Sequence, residues 1–334
     1  MKHSDDVTLQ INLSPSDWRY AQFILPHQIM KWKGHVGEVL LILDLHRSSG
    51  KFSENWELGF SKIYDIIKSV EALHPSINLV EVDYSESTVL KVGKHFFNKS
   101  WIPPKDFRGG PFYSYFFGLF SAQNRYILHL DSDMMFGGNC DQWLLQAIEL
   151  LKSNPELLTC SPLPGPPSLD GQLKSQNARR YSKLPFQSFQ FDSFSTRIFF
   201  IDILKLRSKI GYLNLQYTSF RGIVKAIVEG NYPFALPEAI ITDALQKNKC
   251  FRLDFLGEGT GAWSLHPPYR SENFYRELPA IIDRIDRNDI PEQQSGDHDV
   301  NSSLVDWSDA KARLRSNRWW NRLGSRLYSR FSSL

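Results

Sequence analysis

The sequence is poor in cysteine: Cys140, Cys160 and Cys250 are its only three in 334 residues, far apart and without paired spacing. That argues against a disulfide framework or a cysteine zinc site, and it suits a reducing compartment, with the cytoplasm as the expected location. Long apolar runs are missing too. No stretch approaches the ~18 residues that would cross a bilayer, and the opening Met-Lys-His-Ser-Asp-Asp leads into a mixed polar segment with no signal-peptide core. Nor does charge of one sign dominate. A net charge of +3 gives no support to a globally basic nucleic-acid binder, so no nucleic-acid partner is expected. No internal repeat is visible.

What the chain does hold is core material. With 42% hydrophobic residues, nine tryptophans and 23 phenylalanines it can bury a large core, in one large α/β domain or two small ones. Aromatic rings beyond the needs of packing would suit a groove for sugar rings.

The stretch around which the rest is organised is 126–138. Tyr126-Ile-Leu-His-Leu is a short apolar run that reads as a buried strand, and it breaks into Asp131-Ser132-Asp133 and then Gly137-Gly138. In an open α/β sheet, ligands collect at such a C-terminal strand end. Two carboxylates so close repel each other unless a cation sits between them, and a hard divalent metal bridging to a phosphate oxygen meets that need. Two solvated turn acids are the alternative.

Along the chain, residues 11–33 predict a helix starting near Ser14 or Ser16, packed outside the first strand, which is read at 36–45. Asp44, His46 and Arg47 stand at that strand's end. A crossover helix over 54–73, a strand over 77–83 and a helix over 85–94 complete a β-α-β unit. Helices at 112–123 and 141–153 flank the central strand, and a short strand follows at 157–160. Residues 162–191 are rich in Pro, Gly, Ser, Gln and Asn, include Arg179-Arg180, and read as a long surface connection of the kind that forms lids. A strand at 196–202 feeds a short helix capped by Asp202. Helices follow at 220–229 and 237–246, a late strand at 250–255, and a glycine-rich loop ending in His266.

The expected layout is one domain over 1–290, with a nucleotide-binding half at about 36–160 and an acceptor half at about 161–290. Residues 291–306 read as a polar linker. Residues 307–334 read as a basic amphipathic helix: Arg318, Arg322, Arg326 and Arg330 line one stripe, and Trp319, Leu323, Leu327 and Phe331 the next. Such a helix, through residues 311–334, can lie on the cytoplasmic face of an anionic membrane, or dock on the domain with its basic face in water.

The N-terminal β-α-β unit, the strand-terminal Asp83, the Asp131-Ser132-Asp133 pair and the late His266 together resemble the GT-A family of nucleotide-sugar glycosyltransferases, over about residues 36–270. The resemblance implies a mixed, mostly parallel central sheet with helices on both faces. It implies a donor that is a nucleoside diphosphate sugar, UDP- or GDP-linked, and a hydroxyl acceptor in glycan, polysaccharide or glycolipid synthesis. Asp131 and Asp133 would bind Mn²⁺ or Mg²⁺ against the diphosphate, and His266 would complete the coordination. Asp83 would read the base or ribose, with a cap or turn aspartate as the alternative. His46, Arg47 and Arg108 are candidates for nucleotide and phosphate contacts; a surface cation is the competing reading for each. In inverting members an acidic pair at the start of a helix offers the catalytic base. Leu236-Pro237-Glu238-Ala239 occupies the matching place, but Ala239 stands where an aspartate is usual. Glu238 alone, Asp243 one turn further on, or a retaining enzyme without such a base all stay open.

The chemistry agrees with that implication, since a leaving diphosphate needs stabilisation that a divalent cation supplies as a Lewis acid, and an incoming hydroxyl needs deprotonation that a carboxylate can supply. Two other classes compete: a haloacid-dehalogenase-type phosphatase with Asp131 as nucleophile, and a non-catalytic membrane-docking protein with a degenerate nucleotide fold. The first is weakened by Met135, which stands where that family has Thr or Val.

Overall fold

The structure is a computed structural model, and it describes residues 4–48 and 56–314. The stripes of the basic tail fall outside the described residues. The chain opens with strand β1 (Ser4–Leu13), which the sequence reading missed. Its apolar residues Val7, Leu9, Ile11 and Leu13 alternate with Thr8 and Gln10, and both sets are buried, so the strand lies in the middle of the sheet with polar residues on one face. Those polar residues find local partners: Thr8 Oγ1 donates to Glu38 at 2.5 Å and Gln10 Nε2 to Asn12 at 3.0 Å.

After a 3-10 turn at Pro15–Asp17 comes helix α1 (Trp18–Trp32), then β2 (Val36–Leu43), α2 (Trp56–Leu73), β3 (Ile77–Glu81), α3 (Glu86–Phe97), α4 (Tyr113–Ser121) and β4 (Tyr126–Asp131). A short strand β5 (Met135–Gly138) precedes α5 (Trp143–Ser153) and β6 (Leu157–Pro164). The connection after β6 holds β7 (Arg179–Arg180) and β8 (Ser188–Phe191), followed by β9 (Ile198–Asp202) and α6 (Ile203–Ile210). Asp202 caps α6 as expected, accepting from the backbone of Leu204 and Lys205. Then come α7 (Phe220–Glu229), α8 (Pro237–Lys247), β10 (Phe251–Phe255), β11 (Ala262–Leu265), α9 (Glu272–Asp286) and α10 (Ser308–Arg313).

Among the described residues the strands form an 11-stranded sheet whose main path runs β3-β2-β1-β4-β9-β6-β10-β8-β7. Strands β3, β2, β1 and β4 are mutually parallel, β9 runs antiparallel between β4 and β6, and β10 is parallel to β6. The sheet is therefore mixed and mostly parallel, with helices on both faces, in agreement with the expected α/β class. β1, β2, β4, β6 and β10 all end on one edge. From that edge β11 pairs parallel to β6 and antiparallel to β5, reaching across the end of β4.

One apolar cluster lies between the sheet and α1, α2 and α5; a second lies under α3, α4, α6 and α8. A third joins α1, β11 and α9 to Val300, Val305 and Trp307. The stretch 291–306, expected as a linker, is thus part of the packed body: Gln294 is fully buried and bridges the backbone of Asp297 and Asp299. The half expected at about 36–160 packs together with β1, which fills the gap between β2 and β4. No described helix is long and apolar enough to cross a membrane.

Candidate active site

β4 ends at Asp131, and the chain turns before β5 starts at Met135. The turn is held from below by the buried Gln28 of α1, whose Nε2 donates at 2.9 Å to both the Asp131 and the Met134 carbonyls. Because residues 132–134 are not extended, the two carboxylates diverge instead of sharing a face. Asp131 Oδ1 accepts from Tyr115 Oη at 2.8 Å and lies 3.4 Å from His129 Nε2. Asp133 is 2% exposed and contacts the guanidinium of Arg270. Burial would raise the Asp133 carboxyl, but the charges of Arg270, His266 and Arg197 hold it below the usual carboxylate range.

His266 does come to Asp133, its Nε2 standing 3.6 Å from Asp133 Oδ2, while its Nδ1 lies 3.1 Å from Asp299 Oδ1. The pairing β5–β11 produces this approach, since it sets Leu265 opposite Met135. The two carboxylates sit on opposite sides of the imidazole, so they do not converge on one point. Among the described residues, no group of three or more His, Cys, Asp or Glu side chains could hold a metal ion. The expected metal set of Asp131, Asp133 and His266 is therefore not assembled: Asp131 is turned to Tyr115 and His129, and an arginine occupies the cation position against Asp133. The residues as arranged do not fit Mn²⁺ or Mg²⁺.

Beside this corner lies a cavity of ≈ 200 Å³ lined by Glu238, Arg197, Arg252, Asp254, Ser264 and His298, among others. Glu238 opens α8 after Pro237 and lines this cavity. Its surroundings raise the carboxyl above its ordinary range: desolvation acts first, opposed by Arg197 and Arg252, while Asp131 adds a further upward push. Arg252 and Asp254 form a buried pair at 2.8 and 3.0 Å, and burial still lifts the Asp254 carboxyl to about 6. Two buried polar atoms on the wall, His298 Nε2 and Ser264 Oγ, have no partner among the described residues. Buried polar atoms are rarely left so unless a ligand or water meets them. The backbone links both parts, because Asp131 N donates to Arg197 O at 2.7 Å and His266 N to His298 O at 3.0 Å.

The other expected residues separate. Asp83 is exposed in the turn just before α3, its carboxylate accepting from Ser85 and Thr88, and those bonds keep it below the ordinary range. The acid buried at the end of β2 is Asp44, bonded to Lys105 Nζ at 2.7 Å, Tyr84 Oη at 3.0 Å and His46 N at 2.9 Å. The His46 ring lies 4.9 Å from Tyr84, with its basicity lowered by burial and by Lys105. Arg47 is exposed and paired with Glu57 at 2.9 Å. Arg108 lies near enough to Glu238 to oppose the rise in its carboxyl. Asp243 does not line the cavity: Lys247 at 2.8 Å and Gln216 at 2.7 Å engage its carboxylate, so it is not placed as a base.

Sequence reading missed Arg270, Arg197, His298 and Asp299. The signal for the first was present, since His266-Pro-Pro-Tyr-Arg270 sets a cation just after a candidate ligand; His298 and Asp299 were hidden in the supposed linker. A larger hollow of ≈ 590 Å³ at the far sheet edge, lined by Arg179, Arg180, Lys183 and Lys249 among others, holds none of the expected site residues.

Among solved structures, the chain is similar to GalNAc-T7 with UDP, GalNAc and Mn²⁺ at 10% identity, over 80% of this chain and 43% of that one, TM-score 0.44. It is similar to a TarS fragment from S. aureus at 12% identity, over 86% of this chain and 67% of that one, TM-score 0.36. Mouse xyloside xylosyltransferase 1 aligns at 14% identity over 60% of this chain and 69% of that one, TM-score 0.29. The chain spans less than half the length of the GalNAc-T7 chain. No protein-family model and no curated protein sequence matches it.

Proposed function

We propose that the chain transfers a sugar from a nucleoside diphosphate sugar, UDP- or GDP-linked, to a hydroxyl acceptor bound at the C-terminal edge of the sheet. One observation carries the reading: Glu238, with a raised carboxyl, stands on a polar cavity with two orphaned buried atoms, beside the Asp131–Asp133 turn and its cations. A cavity with unmet hydrogen-bonding atoms and two arginines suits a polyhydroxy ligand better than an apolar one. In this reading Glu238 takes the proton from the acceptor hydroxyl, and a carboxylate poised above its usual range is the better base near neutral pH. Asp44, Lys105, Tyr84 and His46 form the pocket for the nucleoside, and cations at the Asp133 corner meet the charge of the leaving diphosphate.

The phosphatase alternative is not favoured, because Asp131 Oδ1, its required nucleophile, is engaged by Tyr115 and His129. As part of the same proposal, residues 311–334 contact the cytoplasmic face of a membrane, and co-sedimentation with anionic liposomes tests this: equal pelleting with and without that segment would remove it.

The central test is Glu238→Gln, assayed for sugar transfer from a panel of nucleoside diphosphate sugars and, separately, for nucleotide binding. Turnover should fall by roughly 10²–10⁴ with nucleotide affinity unchanged. Full transfer by the variant would remove Glu238 as the base.

A further inference from the structure

The arginine at the Asp133 corner bears on how the leaving diphosphate is held, an inference that rests on the transferase reading above. Arg270 lies in the turn between β11 and α9, directly before Ser271, which caps α9 by accepting from Phe274. Its guanidinium contacts Asp133 Oδ2 and sits over the Tyr20 ring at 5.1 Å. Tyr20 is itself fixed, donating to Asp17 Oδ1 at 2.5 Å, while Ser132 Oγ donates to Asp17 Oδ2 at 2.9 Å. The guanidinium is thus held from two sides by groups anchored in α1 and in the Asp131–Asp133 turn. Yet 43% of the Arg270 side-chain surface is open, against 3% for Asp133.

A guanidinium carries five N–H donors, of which the Asp133 contact uses one edge, and it stays charged at any physiological pH. Arg270 is joined to the candidate site through Asp133, since His266 Nε2 stands 3.6 Å from Asp133 Oδ2 and His266 N donates to the carbonyl of His298 on the cavity wall. A divalent cation bound to Asp133 and His266 would have to displace this arginine and would find Asp131 turned away.

We propose that Arg270 is the diphosphate-binding cation of this protein, filling the role that a divalent metal would otherwise take, with Asp133 as the positioning residue that aims it. Asp133 neutralises one side of the guanidinium and fixes its plane. The free edge is left to bind two phosphate oxygens, a geometry for which arginine is well matched.

Calorimetric titration of the full chain with UDP, GDP, CDP and ADP, each in EDTA and in Mn²⁺, tests this on the wild type, Arg270→Met and Arg270→Lys, with UMP and GMP as monophosphate controls. One nucleoside diphosphate should bind in EDTA. Arg270→Met should weaken it roughly tenfold to a hundredfold while leaving the matching monophosphate within about twofold, and Arg270→Lys should fall between. A merely structural role for Arg270 would weaken both nucleotides alike, and thermal melting of each variant identifies a misfolded one, in which case the wild-type arms decide. Binding that requires Mn²⁺ would overturn the proposal while leaving the transferase reading in place. Absence of binding for every nucleotide, with and without Mn²⁺, would overturn both.

Discussion

His298 illustrates how much a single residue's surroundings decide. Burial, reinforced by the charges of His266 and Arg197, pushes its imidazole down to about 3. The unfolded chain takes up a proton at this position below ~6.5, whereas the folded chain does not. The resulting stability is fully present above that pH and is lost as pH falls toward 3. Thermal midpoints of wild type and His298→Gln between pH 7 and 4 should therefore show the wild type falling more steeply, and parallel curves would remove His298 as a source of acid sensitivity. Nothing in Gly-Asp-His298-Asp-Val announces this, because the shift comes from neighbours more than thirty residues away. Asp133 is the opposite case: the apolar run before it places it at a strand end, yet its contact with Arg270 is not legible there. Two acids so close call for a nearby cation, but only the fold brings the guanidinium of Arg270 to Asp133.

At the scale of elements, most assignments rested on hydrophobic period, and they failed where a strand carried polar residues or was short. β1 was read as polar because Thr8 and Gln10 are buried beside apolar residues, a pattern that resembles a solvated segment until β2 and β4 cover it. β5 and β11 have four residues each, too few to show a period, yet their pairing delivers His266 to Asp133. Gly137 and Trp263 face each other in that pair, and a Cβ on Gly137 would fall 1.9 Å from Trp263 Cζ2. Gly137→Ala should cost about 1–3 kcal/mol, measured by urea unfolding, and should weaken nucleotide binding by shifting His266. Unchanged stability would mean that Trp263 can swing aside and that the hairpin is not rigid. On α7 the case is reversed: Phe220 is 81% and Ile227 71% exposed, and the face turned inward carries the small residues Gly222 and Ala226.

For the whole molecule, the segment after α9 changes from appendage to closure. Trp307 stacks on Phe274 with ring centroids 5.8 Å apart and donates from Nε1 to Val300 O at 2.9 Å, which draws residues 297–310 back over β11 and the site. A chain ending at residue 306 should therefore melt well below one ending at 314, and Trp307→Ala in the full chain should cost about 3–5 kcal/mol. Equal melting of the two truncations would restore the linker reading. The sequence by itself determined the α/β class, the order of the main helices and strands, and the strand end where the acids emerge. All of these follow from local period, capping and turn chemistry. Only the tertiary structure decided that β1 is central, that Asp83 and Asp243 are engaged elsewhere, and that Arg270 meets Asp133. Those outcomes depend on which distant segments cover a strand or share a pocket, and side-chain pairing across 137 positions leaves no trace in local pattern.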